Sequence, residues 1–420
     1  MKKWVSLVAT TSLFAGLMAG CGPSDSSTGG GSGESNGDKE IVFWAPFSGP
    51  DGPNMQKIVD GFNEKQDEYD VKLQIVPQSE YYKTVDLALN GQEDAPELMI
   101  MHGDQIMTYA EQDVLKGLDD IVGDTVQKDQ YHENAWKGAE VEGTTYGVPL
   151  DIHPLMFYWN KDLFKAAGLD PESPPTNREE FIAAAQKLTK ADEGQWGFAL
   201  PTLWPQQFIF PTIVYQNGGT LIEDGKADYT SEAVVDALEF EKDLISKYKV
   251  SPENVQQDGE LTLFLQGKNA MHLNGPWMLN QFEESNINFG VSTVPRLGTK
   301  QDAVFANSHN FVIPASVEDE TTVTGIEEFL SYVADNGMAW AESGQAPASK
   351  AVYESEEFGK LKQQPQVAKQ FDYVQYSPAV ANWGPVSDPL FKAVNEALLG
   401  QKDVKKALED AEKESQAQLQ

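Results

Sequence analysis

Two acid–imidazole pairs mark this 420-residue chain: His102 and Asp104 on either side of Gly103, and Asp151 and His153 on either side of Ile152. His102-Gly103-Asp104 follows a strand-like run, and Ser308-His309-Asn310 precedes another, Phe311-Val312-Ile313. A carboxylate in such a loop accepts two hydroxyl hydrogen bonds, and an imidazole either donates or accepts. Asp151 and His153 stand at i and i+2, which on an extended strand places both on one face. Both are therefore expected to point into a common cleft. Flat rings complete the set. Trp277 follows Asn274-Gly275-Pro276, a turn that holds the indole at a fixed angle; Trp383 lies between Asn382 and Gly384-Pro385, and Trp204 between Leu203 and Pro205. Phe47 and Asp51 occupy a first Gly/Pro-rich loop and Tyr81 a second. Such residues suit a ligand with hydroxyl edges and apolar faces. With only two arginines, Arg178 and Arg296, no guanidinium clamp for a phosphate or dicarboxylate is evident.

Catalysis is not expected. Glycoside hydrolysis needs two carboxylates about 5–10 Å apart, one with a raised pKa. Among 65 acidic residues some pair is always conceivable, so the count decides nothing, and no segment resembles a glycosidase acid/base motif. No Walker-type glycine loop is present. The five histidines, His102, His132, His153, His272 and His309, include no pair at the i, i+4 spacing of a helical metal site. Neither a metal nor a cofactor is expected. Three readings compete with simple capture of such a ligand: an anchored glycosidase, a metal carrier, and a receptor for a cation such as a polyamine, which a negative, aromatic-lined cleft would also suit.

The elements that must position these residues alternate strand and helix. Glu40–Trp44 reads as a strand, Met55–Phe62 as a helix, Val71–Val76 as a strand, Tyr82–Leu89 as a helix and Glu97–Met101 as a buried strand. Helices are predicted near 178–189, 231–248, 259–266 and 321–335, and a helical register runs from Asp388 to the end. This order points to α/β layers around a parallel-rich sheet, and the length calls for more than one lobe.

At the other end of the chain stands Cys21, the only cysteine. Lys2 and Lys3, an uncharged and mostly apolar Trp4–Gly20 run, and small residues before the break have the form of a secretory signal. A cysteine at that break resembles a bacterial lipobox, which implies acylation of Cys21 and a membrane tie. Residues 22–39, rich in Gly and Ser, read as a flexible tether. The location expected is the outer face of the cell membrane in a bacterium without an outer membrane. The chain carries 31 basic and 65 acidic residues, a net charge of −34. That field excludes nucleic acid as a partner and favours a soluble monomer.

Several ordered segments resemble one family, the extracellular solute-binding proteins of ABC sugar importers of the maltodextrin and multiple-sugar type. The resemblance rests on Phe43-Trp44 with Phe62-Asn63-Glu64, on Glu97 to Asp104 with Val114 to Leu118, and on Tyr146-Gly147-Val148-Pro149 with Tyr158 to Phe164. It continues through Asn217-Gly218-Gly219 with Glu223 to Lys226, Leu265 to Met271 with Asn274-Gly275-Pro276-Trp277, and Asn382-Trp383-Gly384-Pro385. It implies a two-lobed, type II periplasmic-binding-protein-like α/β fold, with the ligand cleft between lobes joined by several hinge crossings. One lobe would span 40–149 plus 306–345, the other 150–305 plus 346–420. It further implies a carbohydrate ligand, delivery to the permease of an ABC transporter, and ligand contact by Phe47, Asp51, Tyr81, His102, Asp104, Asp151, His153, Trp204, Trp277, Ser308, His309 and Trp383.

Overall fold

Strand Lys39–Ala45 is β-branched and aromatic, with Ile41, Phe43 and Ala45 buried on one face and Val42 and Trp44 half-buried on the other. That period of two is what a sheet requires. In the computed structural model, which describes residues 39–47, 49–91 and 95–419, this strand pairs in parallel with Tyr69–Ile75 on one side and Leu98–His102 on the other. The connections are the helices Asp51–Lys65 and Gln78–Gly91, as parallel pairing demands. His309–Val312 then adds antiparallel to Leu98–His102, and Val148–Pro149 adds to His309–Val312, which completes a five-stranded sheet. Helix Glu320–Asp335 covers one face, its Phe329 ring 6.0 Å from Phe43 and 6.1 Å from Phe311. The expected signal, Cys21 and nearly all of the Gly/Ser tether lie outside the described residues.

A second sheet of four strands runs Phe289–Ser292, Met156–Asn160, Asn269–Asn274, Trp196–Phe198. Met156–Asn160 and Asn269–Asn274 are buried at every position, so both faces are covered. The C-terminal helices Trp383–Leu398 and Val404–Gln418 belong to this half. Ser415 Oγ donates to Val386 O at 2.6 Å, and Asn395 Nδ2 to Thr202 O at 2.8 Å. Asp224 and Gly225, both at positive φ, turn the hairpin between Ile222–Glu223 and Lys226–Ala227, the backbone a two-residue hairpin demands.

The two sheets are joined by adjacent crossings. Val148–Pro149 leaves the first sheet, and four residues later His153–Pro154 pairs antiparallel with Val304–Asn307 in a small third sheet. Val304–Asn307 passes through Ser308 directly into His309–Val312 of the first sheet. A third segment lies alongside. Ile152 N donates to Ala346 O at 3.1 Å, Ala348 N to Leu150 O at 2.9 Å, and Leu150 N to His309 O at 2.8 Å. Among the described residues no helix is long and apolar enough to cross a membrane.

Candidate functional site

The crossings converge on a buried carboxylate. Asp151 is wholly buried and accepts four hydrogen bonds: from His153 Nδ1 at 2.9 Å and the His309 backbone N–H at 3.0 Å on Oδ1, and from His309 Nδ1 at 2.8 Å and Trp340 Nε1 at 2.9 Å on Oδ2. Burial alone would raise its pKa, but the His309 and His153 imidazoles and their hydrogen bonds hold it well below the usual carboxylate range. Burial also works against charge on the histidines. It prevails at His153, whose pKa is lowered, whereas at His309 Asp151 more than offsets it and the pKa is raised. His102, paired across the sheet with His309, is pushed well down by burial and by the two neighbouring imidazoles.

Above these rings opens a cavity of about 630 Å³ with walls from both halves of the molecule. One wall is polar. Asp104, in the first turn of helix Gly103–Ala110, accepts from Asn307 Nδ2 at 3.0 Å. Asp51, at the start of helix Asp51–Lys65, accepts from Gln345 Nε2 at 3.1 Å through Oδ2, while Oδ1 has no partner. Burial raises the Asp51 pKa to about 6 against the opposing pull of His309.

Another part of the wall is aromatic. Trp204 and Trp277 lie 6.0 Å apart at 31°, and Phe208 meets them edge-on at 5.6 and 5.4 Å. Phe208 comes from helix Gln206–Gln216, apolar nearly all round and buried accordingly. A side chain at Gly275 would overlap the Trp277 indole, so glycine there is what lets the ring fold back over the turn. Trp383 opens its helix behind Asn382, held at φ +54, whose N–H donates to Thr108 Oγ1 at 2.8 Å. Trp204, Gln207 and Asp388 also line a neighbouring groove of about 730 Å³ beside the C-terminal helices.

Of the residues predicted from sequence, Phe47, Asp51, His102, Asp104, His153, Trp204, Trp277, His309 and Trp383 line the cavity. Three do not. Tyr81 is a core residue whose hydroxyl donates to Ile100 O at 2.6 Å; its neighbour Tyr82 lines the cavity instead. Asp151 does meet His153, side chain to side chain at 2.9 Å, but it is wholly buried and takes no part in the cavity wall. Ser308 is buried against Gly103 and Gly138, its Oγ accepting from Asn310 Nδ2 at 2.9 Å, and Asn307 takes the cavity position. Sequence reasoning missed Tyr82, Gln345, Phe208 and Asn307, and it gave Trp340 no role. No pair of histidines has helical metal-site spacing, yet His102, His153 and His309 meet in space from three separate segments.

Two α/β layers joined by adjacent crossings, with a cavity walled from both sides, define a solute receptor. The chain belongs to the family of bacterial extracellular solute-binding proteins, whose profile matches residues 48–340. It is 24% identical over 422 residues to the galactooligosaccharide-binding protein of Bacillus subtilis, covering 96% of this chain and 94% of that one. The structure superposes on the cyclic α-maltosyl-1,6-maltose binding protein of Arthrobacter globiformis with a TM-score of 0.79 at 24% identity, over 91% of this chain and 99% of that chain. A Thermotoga lettingae ABC transporter solute-binding protein bound with α-D-tagatose gives a TM-score of 0.79 at 23% identity, over 91% and 100%. These superpositions show the two-lobed periplasmic-binding-protein fold.

Proposed function

We propose that this protein captures an extracellular carbohydrate of more than one ring and hands it to the permease of an ABC transporter, without chemically altering it. The observation that carries the reading is the pairing of an aromatic corner, Trp204, Trp277 and Phe208, with a polar wall of Asp51, Asp104, Asn307 and Gln345. Sugar rings offer C–H faces to the first and hydroxyl edges to the second. The groove that continues past Trp204 supports a ligand longer than one ring. The relatives named for oligosaccharides support the same class.

Capture would proceed by closure of two lobes, 40–149 plus 306–345 against 150–305 plus 346–420, about the three adjacent crossings. Ligand touching both lobes at once favours the closed population. Acylation at Cys21 and the Gly/Ser tether would hold the monomer beside its permease at the cell surface, keeping its local concentration high.

A thermal-shift series on the mature chain tests the reading. A ligand at a hundredfold excess over Kd stabilises the folded state by about 2.7 kcal/mol, so a matching oligosaccharide raises Tm by several degrees. Stabilisation by polyamines and by no sugar would overturn it, as would release of free sugar from an oligosaccharide by the purified protein.

A further inference from the structure

We propose that His102, His153 and His309 form a three-imidazole site for a divalent transition-metal ion of the zinc type, with its fourth coordination position open to the cavity. Their ligand atoms all lie within 4.8 Å of one another, with ring centroids 4.6 Å apart for His153 and His309 and 4.8 Å for His102 and His309. The site goes beyond carbohydrate capture and does not depend on it.

The arrangement of the outer nitrogens argues for a metal. His153 and His309 both present Nδ1 to Asp151, and His102 presents Nδ1 to the Tyr82 hydroxyl at 2.6 Å. With the Nδ1 positions taken, each ring has Nε2 left, and no Nε2 of the three has a hydrogen-bond partner among the described residues. Metal-binding histidines characteristically donate the far N–H to a carboxylate or another acceptor, which fixes tautomer and ring direction. Asp151 does this for two rings and is itself pinned by Trp340 and the His309 backbone. Tyr82 faces the third: its oxygen accepts from the His102 backbone N–H at 3.0 Å and lies 2.6 Å from Nδ1, where it can accept from Nδ1–H once Nε2 holds a metal.

Three nitrogens and an open position match the donor set of a zinc site that takes a further ligand. Zinc–nitrogen bonds of about 2.0–2.1 Å put tetrahedral nitrogens about 3.3 Å apart, so the ion would draw the rings inward by side-chain rotation while their Nδ1 partners stay in place. A second observation points to a bound group at this wall: Asp51, also lining the cavity, is buried and leaves Oδ1 without a partner. All-nitrogen ligation also suits copper(II), nickel(II) and cobalt(II) better than magnesium or calcium, which prefer oxygen.

The test is zinc titration by calorimetry of chelator-stripped mature protein, with cobalt(II) absorption as a second readout. Expected are one zinc ion per chain and the intense visible bands of four-coordinate cobalt. Both should be lost in His153→Gln and His309→Gln and competed away by zinc. His102→Gln, at the more accessible ring, guards against misfolding: circular dichroism should match the parent while zinc affinity falls by about a hundredfold or more, the upper end of what loss of even a supporting partner costs. Folded His102→Gln that binds zinc as the parent does, or a parent that binds less than one ion per chain, overturns the proposal. Sugar affinity measured on the same stripped protein reports on carbohydrate capture separately.

Discussion

Asp151 and His309 are joined twice across 158 residues, through Nδ1 to Oδ2 at 2.8 Å and backbone N–H to Oδ1 at 3.0 Å. The two bonds lock the outgoing crossing to the returning one at the point where the two sheets meet. Removing one partner of a buried charged pair costs about 3–5 kcal/mol because it leaves the other uncompensated. Asp151→Asn, which cannot accept four donors, should therefore lower stability to urea by about that amount. Asp104→Asn, at the cavity wall, should stay within about 0.5 kcal/mol. Equal, small losses at both positions would show that Asp151 does not hold the crossings together.

Trp277 lies half-buried in the aromatic corner, and its backbone turn is fixed by Gly275 and Pro276. Its indole can be removed without opening the central core. Trp277→Ala should weaken binding of the matching sugar by about 2 kcal/mol or more, as expected for a stacked aromatic anchor, while the circular dichroism spectrum stays that of the parent. Unchanged affinity in calorimetry would move the sugar away from this wall.

Much of this architecture was legible because it is periodic. The alternation in Lys39–Ala45 and the continuous burial of Leu98–Met101 announce strands, and the expected helices near 178–189, 231–248, 259–266 and 321–335 stand at Arg178–Leu188, Glu232–Ser246, Gly259–Leu265 and Glu320–Asp335. What was not legible is non-local. His309 meets His102 through strand register, and His153 reaches them through pairing with Asn307; no spacing along the chain encodes either. Asp151 reaches His153 as the i, i+2 rule expects, but His309 and Trp340, distant in sequence, bind it from the other side and bury it away from the cavity. Gln345 carries no motif at all, and only the third crossing brings it to Asp51.

Tyr81 and Tyr82 show how a one-residue phase error redirects a prediction. Helix Gln78–Gly91 starts earlier than its apolar pattern suggests, so Tyr81 lies within it and not in a loop. Adjacent helical residues point about 100° apart, which sends Tyr81 into the core and Tyr82 to the cavity. Tyr81→Phe should cost about 1–2 kcal/mol of stability through its lost bond to Ile100 O and leave sugar affinity unchanged. Tyr82→Phe should cost a comparable amount of stability, because its hydroxyl holds both the backbone N–H and Nδ1 of His102, but it should also weaken the sugar several-fold. Sugar affinity measured by calorimetry on both variants separates the roles, and a loss of affinity in Tyr81→Phe with none in Tyr82→Phe would reverse them.

Glu241 makes stability depend on pH in an unusual direction for a carboxylate. It is fully buried in helix Glu232–Ser246, neither oxygen has a partner, and burial pushes its pKa from 4.5 up to about 8. The folded chain therefore keeps this proton up to about pH 8, whereas the unfolded chain releases it near 4.5. The unfolded state gains progressively as pH rises between those values, so the protein is most stable, with respect to this group, on the acid side. Gln206 Oε1 is likewise without a partner beside it, and a protonated Glu241 has a hydrogen to donate there. An amide has that hydrogen at every pH. Glu241→Gln should match the parent Tm at about pH 5 and exceed it by several degrees at about pH 9, where an unmet buried carboxylate costs about 1–3 kcal/mol or more. Tm profiles of parent and variant that run parallel across this range would show that Glu241 is already ionised in the folded protein.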